Sequence, residues 1–139
     1  MRVRRGHRED LPILQTLLGA GSPPLTVQTM RRLVDDVRSD LFVAVDAVGG
    51  LIGLVALGYL RLIGRGGQVA VLDTIVTRGG PDGLLAGLLE FAERRARQHG
   101  CRQLLVLAAA AQPDVRRVLV ARGYGSADGM MRCFDETSR

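Results

Sequence analysis

The spacing of hydrophobic residues changes its period along the chain, and each change marks a boundary between elements. From residue 11 to residue 38, apolar residues recur every three or four positions, as in helices with one buried face. From residue 41 to residue 77, apolar residues are nearly continuous and are interrupted mainly by glycine-rich turns, a pattern typical of buried strands joined as hairpins. Helical spacing returns at residue 84, and a short apolar run after Gly100 predicts another buried strand.

The predicted order of elements is β-α-α-β-β-β-α-β-α-β, which makes a single α+β domain over residues 1–139. Strands are predicted at 1–5, 41–48, 51–63, 68–77, 101–109 and 129–136. Helices are predicted from 11 to a stop at Gly19, over 27–39, from 84 to a stop at Gly100, and from 113 to a stop at Gly123. Because the strands between 41 and 77 are joined by short glycine turns, they are expected to form an antiparallel meander. Asp10 and Thr26 stand where the N-caps of the first two helices belong.

Charge is the feature of the composition that bears on function. The formal net charge is +5, and all 19 basic residues are Arg. Lys and Asn are absent, as in a GC-rich genome, because both use adenine-rich codons. The arginines are scattered over every segment, and two Tyr with three Phe offer few rings for base stacking, so we do not expect nucleic-acid binding. An acidic small-molecule ligand accounts better for the positive charge.

Other sequence signals narrow the class of protein. No apolar run reaches the length of a membrane span, and the first ten residues are charged rather than apolar, so a cytoplasmic location is predicted. The cysteines and histidines are too few and too dispersed for a metal site, and no metal is expected. Cys101 and Cys133 are predicted to be small core residues.

Three stretches of the sequence, in their order and separation, resemble the GCN5-related N-acetyltransferase (GNAT) superfamily. They are "LDTIVT" before a glycine loop, "LLAGLLEFAERRARQHGCRQLLV" after it, and the closing "VRRVLVARGY". The resemblance covers essentially the whole chain. It implies a mixed, mostly antiparallel central sheet flanked by helices, in which the strands before and after the loop splay apart. It also implies an N-acetyltransferase that uses acetyl-CoA and acts on a small-molecule amine or a protein amino group by direct attack, and a homodimer is one assembly that it suggests.

The resemblance places the cofactor in the gap between the splayed strands, with its diphosphate on the loop amides at the positive end of the next helix. In this interpretation Arg78 replaces the basic residue of the family loop, and Gly79 and Gly80 let the backbone approach the phosphates. The residues that the resemblance assigns to the cofactor are Ile75, Val76, Thr77, Arg78, Gly79, Gly80, Gly83, Leu84 and Gln112.

Two residues of the loop depart from the family pattern. Pro81 has no N–H to offer a phosphate. Asp82 stands where a helix N-cap belongs, so its carboxylate is expected to occupy the same amides and to repel the anion. The helix-dipole contribution is only about 0.3–1 kcal/mol, so the aspartate need not abolish binding, and it weakens binding unless Arg78 offsets its charge. A capped helix without a ligand is the alternative to a cofactor loop.

One carboxylate and three other side chains carry the catalytic hypothesis. Asp73 in "VLDTIV" occupies the strand position from which family members often supply the base that takes the ammonium proton; the alternative is a strand residue that is hydrogen-bonded or faces solvent. The family's usual proton donor to the thiolate is replaced by Leu119, which cannot donate. Tyr124 is expected to pack at a helix–strand junction, and Tyr59 either lines the substrate side or packs on the sheet. The second hypothesis is therefore a non-catalytic GNAT-fold binding or regulatory module with impaired coenzyme A binding.

Overall fold

The computed structural model describes residues 2–19, 25–107 and 113–126. The strands are β1 (Arg2–Arg5), β2 (Ser39–Val45), β3 (Leu51–Leu62), β4 (Gly67–Thr77) and β5 (Gln103–Val106). The helices are α1 (Leu11–Leu18), α2 (Val27–Asp35), α3 (Leu84–Gln98) and α4 (Pro113–Ala121), with single 3-10 turns at Arg8–Asp10 and Ile63–Arg65. The predicted order is confirmed from β1 to α4, and the strand predicted at 129–136 lies outside the described residues.

The strands form one sheet in the order β1-β2-β3-β4-β5. From β1 to β4 all neighbours are antiparallel, as the short turns between residues 41 and 77 predicted. β5 lies parallel to β4, and α3 makes the crossover between them. The prediction of a mixed, mostly antiparallel sheet in an α+β fold is therefore confirmed.

Helices cover both faces of the sheet, which is why the strands lack the alternation of a half-exposed strand. Along β3, Val55 and Leu57 belong to the core beneath α3 and α4, whereas Leu54 and Ala56 belong to the core beneath α1 and α2. Each of these side chains is at most 7% exposed. Within the described ranges, no helix has the length and apolar character needed to cross a membrane.

Local signals correctly predicted the ends of two helices. The Thr26 hydroxyl accepts a hydrogen bond from the Thr29 amide at 3.1 Å and so caps α2. Gly100 follows α3 with a φ of 77°, and the Cys101 amide donates to the Ala96 carbonyl at 2.9 Å. This arrangement is a Schellman motif, in which the left-handed residue is usually glycine.

Asp10 is the N-cap residue of α1, as predicted, but its side chain makes no capping hydrogen bond to that helix. Its carboxylate accepts hydrogen bonds from the His7 amide at 2.7 Å and from the Arg4 guanidinium at 2.9 and 3.0 Å. Burial by itself raises the pKa of Asp10, but these hydrogen bonds outweigh it and hold the pKa below its ordinary value. The acid therefore ties β1 to the turn that precedes α1, because a cationic partner from β1 lies within reach.

Candidate active site

β4 has one residue more than β3 across the middle of the sheet. Leu57 pairs with Leu72 and Ala56 pairs with Thr74, so Asp73 is the extra residue of a β-bulge. Leu72 belongs to the core beneath α3. Ile75, three residues after Leu72, belongs to the same core, so the usual alternation of faces is broken between these two residues, at the bulge.

The Asp73 side chain is exposed, and its carboxylate accepts a hydrogen bond from the neighbouring Thr74 hydroxyl. Within the described ranges, no Arg or His forms an ion pair with it. A carboxylate held by one hydroxyl keeps acceptor capacity for an incoming donor. Asp73 is therefore hydrogen-bonded and also accessible.

The pairing between β4 and β5 ends immediately before the bulge. The last pair joins Leu72 to Val106, and the Leu107 amide donates to the Leu72 carbonyl at 3.1 Å. β4 nevertheless continues to Thr77, paired with β3 alone among the described strands. Asp73 is thus the first residue of β4 that lies beyond the described pairing with β5.

The loop from β4 to α3 contains backbone amides that have no acceptor among the described residues. Gly79, Gly80 and Gly83 have φ values of 66°, 83° and 84°, a left-handed conformation that glycine adopts at little steric cost. The first turn of a helix also leaves N–H groups unpaired. In the part of the chain that the structure describes, the amides of the loop and first turn that lack an acceptor belong to Gly79, Gly80, Asp82, Gly83, Leu85 and Ala86.

The N-cap of α3 differs from the predicted one. Gly83 is the N-cap, and Asp82 lies one residue before it. Asp82 is exposed, and its carboxylate accepts no hydrogen bond from a described residue. The expectation that this carboxylate occupies the loop amides is therefore wrong, because a left-handed glycine turns the backbone into the helix instead. The charge of Asp82 still opposes an anion at the loop.

No protein-family model matches the sequence, and no curated protein matches it at a significant level. Solved structures do match. The chain is similar to a transcriptional regulator from Bacillus halodurans C-125, with a TM-score of 0.79 and 20% identity over 96% of this chain and 99% of that chain. It is similar to the aminoglycoside antibiotic 6'-N-acetyltransferase from Acinetobacter baumannii, with a TM-score of 0.75 and 17% identity over 97% of both chains. A third match is a predicted acetyltransferase with acetyl-CoA from Clostridium acetobutylicum, with a TM-score of 0.73 and 13% identity over 96% of this chain and 95% of that chain.

Many of the matching structures are GNAT acetyltransferases, and each alignment above spans nearly the whole of both chains. This chain has the GNAT fold. Sequence identities of 13–20% establish the fold alone, so the activity has to be inferred from the residues of the site.

Arg78 joins the loop of this GNAT fold to α1. Its amide donates to the Ile52 carbonyl at 2.8 Å, and its guanidinium donates to the Thr16 carbonyl at 2.9 Å. Thr16 lies in the last turn of α1, where carbonyl groups lack helical partners. Arg78 is exposed and holds the start of the loop against α1, and its role toward a cofactor stays a prediction.

Four of the other predicted cofactor residues have buried or half-buried side chains. Ile75 and Leu84 are each 3% exposed and pack in the core beneath α3, whereas Val76 packs toward α1 and α2. Thr77 is half-buried at the end of β4. Gln112 lies outside the described residues. Their assignment to a cofactor stays a prediction.

Neither Leu119 of α4 nor Tyr124, which follows that helix, is available as a proton donor. Leu119 is 6% exposed and packs in the core beneath α3 and α4. The Tyr124 hydroxyl donates to the Glu93 carboxylate at 2.7 Å, and the ring packs against the same core, as expected for a junction residue. Burial, together with this hydrogen bond to a carboxylate, raises the pKa of Tyr124 above its ordinary value. Tyr124 is therefore occupied by a structural contact.

Sequence reasoning missed a buried ionic cluster at the other end of the sheet. The Asp40 carboxylate, with a side chain 4% exposed, accepts hydrogen bonds from the Tyr59 hydroxyl at 2.5 Å and the Arg95 Nε at 3.0 Å. Arg5 lies 3.3 Å away. The Tyr59 ring stacks on His99 with 3.9 Å between ring centroids. Tyr59 thus packs on the sheet beneath α3, which is the second of its two expected roles.

One sequence signal pointed to this Asp40 cluster. An acid stands directly before the apolar run of β2, and α3 carries an Arg and a His four residues apart near its end. Residues at that spacing share one face of a helix. That face of α3 meets the start of β2 only because of the path that α3 takes across the sheet between β4 and β5. Local sequence patterns do not specify this path.

Gly80→Ala is expected to weaken folding, because a Cβ at this position would lie 2.8 Å from the Leu84 Cδ2 and 3.1 Å from the Ile52 Cδ1. The positive φ adds roughly 1–2 kcal/mol of strain for any L side chain. Urea unfolding should show a loss of about 2 kcal/mol or more once overpacking is included. Gly64→Ala is the matched control, since its Cβ would meet nothing within 4 Å; equal losses in the two variants would contradict the prediction.

Proposed function

We propose that this chain is an N-acetyltransferase that uses acetyl-CoA as donor and a primary amine as acceptor. The observation that carries the proposal is Asp73, an accessible carboxylate on a bulge at the last described pair of β4 and β5. Acetyltransferases of the same fold add support, at the level of the fold. A carboxylate without a cationic partner is one of the groups that can act as the general base toward an ammonium proton.

The loop would bind the diphosphate of acetyl-CoA through its unpaired backbone amides. Amides of Gly79, Gly80 and Gly83, with those of Leu85 and Ala86, have no acceptor among the described residues, and the N-terminus of α3 adds a partial positive charge. Backbone donors of this kind are the usual partners of phosphate oxygens. Pro81 contributes no donor, so the loop offers fewer amides than one without proline.

Acetyl-CoA, when bound, would supply an acetyl group activated as a thioester. Asp73 would accept a proton from the acceptor's ammonium group, which frees the nitrogen lone pair. The nitrogen then forms a bond to the acetyl carbon while the carbon–sulfur bond breaks. Both protons that the nitrogen loses would pass to water, the first of them through Asp73, and water would return one proton to the departing sulfur.

The departing sulfur would receive its proton from water in this scheme. Leu119 has no proton to give, and Tyr124 is bound to Glu93. A thiolate is a stable leaving group near neutral pH, since thiols have a pKa of about 8.5, so the lack of a dedicated acid slows the reaction little.

Calorimetric titration with acetyl-CoA, followed by a thiol-release assay with a panel of amines, tests the proposed function. We expect saturable binding and amine-dependent release of coenzyme A. Absence of binding up to millimolar acetyl-CoA would contradict the proposal and would favour a binding module that has lost the cofactor.

Asp82→Asn is expected to tighten acetyl-CoA binding by about two- to five-fold, because it removes a negative charge that lies beside the loop amides and makes no compensating hydrogen bond. The gain should shrink as salt is raised. Asp35→Asn, an exposed acid on α2, is the control for net charge. If both variants gain equally, the effect is general and does not come from the loop.

A further inference from the structure

A cavity of about 710 Å³ lies at the end of the sheet opposite the glycine loop. It is lined by residues of β3, by Gln68 at the start of β4 and by His99 immediately after α3. Along β4, Gln68 lies about 17 Å from Asp73, and the length of α3, about 22 Å, separates His99 from the loop. This cavity, which we call the hairpin cavity, is therefore separate from the candidate active site.

Cationic side chains line the hairpin cavity. Arg38 and Arg61 both contribute to it, and no acidic residue of the described ranges does. The Arg38 carbonyl accepts a hydrogen bond from the Tyr59 amide at 2.9 Å, and Arg61 follows Tyr59 by two residues on β3, so the two arginines start from neighbouring points of the backbone. Neither guanidinium forms an ion pair within the described ranges.

Two acids close to the lining have other partners. The Asp40 carboxylate accepts hydrogen bonds from Tyr59 and Arg95. The Asp36 carboxylate accepts one from the Arg38 amide at 2.8 Å, and Asp36 is exposed, so solvent screens its charge. Two guanidinium groups without an ion-pair partner therefore give the cavity a positive potential, which attracts an anion.

Contacts with the end of α3 hold one wall of the hairpin cavity in place. Tyr59 is 5% exposed, and its ring stacks on His99 with 3.9 Å between the ring centroids. The Gln68 side-chain amide donates to the His99 carbonyl at 2.9 Å. Because these groups are already ordered, a ligand that binds against them loses little free energy in ordering the site.

Exposed apolar side chains border the two arginines. Val37 precedes Arg38 and is 87% exposed, and Leu60 precedes Arg61 and is 49% exposed. Both line the hairpin cavity. Covering apolar surface stabilises a complex by about 25 cal/mol per Å². A ligand with an apolar part beside its anionic group therefore suits this lining better than a bare inorganic anion.

We propose that the hairpin cavity binds a small organic anion. Its carboxylate or phosphate oxygens accept hydrogen bonds from Arg38 and Arg61, since a guanidinium suits both groups. Its apolar part covers Val37 and Leu60. The volume of the cavity lies within the range of small-molecule sites. This site does not depend on acetyl transfer, because none of the residues named belongs to the glycine loop or to the bulge.

NMR titration of the ¹⁵N-labelled protein with four probes tests the class of ligand. Benzoate and phenyl phosphate are aromatic anions that differ in the head group, benzylamine has the same ring with a positive charge, and inorganic phosphate lacks the ring. We expect at least one aromatic anion to bind with a Kd below about 10 mM and to shift the amide signals of residues 59–61, 68 and 99. Benzylamine and inorganic phosphate should bind at least about ten-fold more weakly.

Three results of this titration would overturn the inference. The first is that neither aromatic anion saturates by about 10 mM. The second is that benzylamine or inorganic phosphate binds as tightly as the better aromatic anion. The third is that the shifted signals belong only to residues outside the hairpin cavity.

Substitution of each arginine tests the anionic contact. Arg38→Gln and Arg61→Gln should each weaken binding of the aromatic anion by about three- to ten-fold, because each removes a charge-assisted hydrogen bond. Arg116→Gln on α4 is the matched control, since it removes an exposed arginine that does not line the cavity. An equal loss in all three variants would reflect net charge alone and would overturn the inference.

The apolar contact and the separateness of the site have their own tests. Val37→Ser should weaken the aromatic anion by about two- to four-fold and leave inorganic phosphate unchanged, whereas Val120→Ser, 67% exposed on α4, should change neither. A folded Val37→Ser protein that loses no affinity, judged folded by thermal unfolding, would contradict the apolar contact. Displacement of acetyl-CoA by the aromatic anion would show one shared site and would overturn the inference, whereas a failure of acetyl-CoA to bind bears on the proposed function alone.

Discussion

Asp73→Asn is expected to lower kcat for amine acetylation by about 100- to 10,000-fold, the usual contribution of a general base. Asparagine keeps the size and the hydrogen bond to Thr74 but cannot take a proton. Binding of acetyl-CoA should stay within two-fold of wild type, because the loop amides that would hold the diphosphate belong to residues 79–86, beyond the end of β4. Thiol release and calorimetry measure the two quantities separately.

Two control variants distinguish the loss of a general base from a distortion of the β-bulge. Asp35→Asn removes an exposed acid on α2 and should leave kcat unchanged. Asp73→Glu keeps a carboxylate and should recover part of the rate that Asp73→Asn loses. If Asp73→Asn retains more than one tenth of the wild-type kcat while folding normally, Asp73 is a strand residue without a role in proton transfer.

Asp40→Ala should lower the free energy of unfolding by about 3–5 kcal/mol, the usual cost of leaving a buried ion-pair partner alone. The carboxylate accepts hydrogen bonds from Tyr59 and Arg95, and its side chain is only 4% exposed. Asp114→Ala is the matched control, since the Asp114–Arg117 pair is 80% exposed on both sides and should contribute less than about 1 kcal/mol. Urea unfolding of the three proteins measures both effects, and similar losses in the two variants would contradict the prediction.

The same cluster predicts a dependence of stability on pH. Burial by itself raises the pKa of Asp40, but hydrogen bonds from Tyr59 and Arg95 outweigh it, so the pKa lies below its ordinary value. An acid whose pKa is depressed by folding contributes its full stability above the unfolded pKa of about 3.9, and loses it as pH falls through the folded pKa. Wild type should therefore lose more stability than Asp40→Asn between pH 5 and pH 2. Parallel losses in the two proteins would show that Asp40 does not contribute.

The order of the elements was predictable because it depends on local signals. Period changes in the hydrophobic pattern located the strands and helices, and short glycine turns predicted the antiparallel neighbours that β2, β3 and β4 turn out to be. Thr26 and Gly100 were predictable for the same reason, since capping depends on a few adjacent residues. Asp82 was mispredicted because Gly83 offered a competing turn that side-chain preferences alone do not rank.

The features of the candidate site also separate into those that the local sequence predicts and those that depend on tertiary packing. By itself the sequence determined that an acid lies on the strand before a glycine loop and that the loop contains Pro81 and Asp82. Tertiary structure alone decided that Asp73 is the extra residue of a bulge, because strand register depends on pairing with β3. It also decided that Arg95 of α3 reaches Asp40 at the start of β2. Residues 55 positions apart come into contact only through tertiary packing, so the local spacing of hydrophobic residues carries no information about that contact.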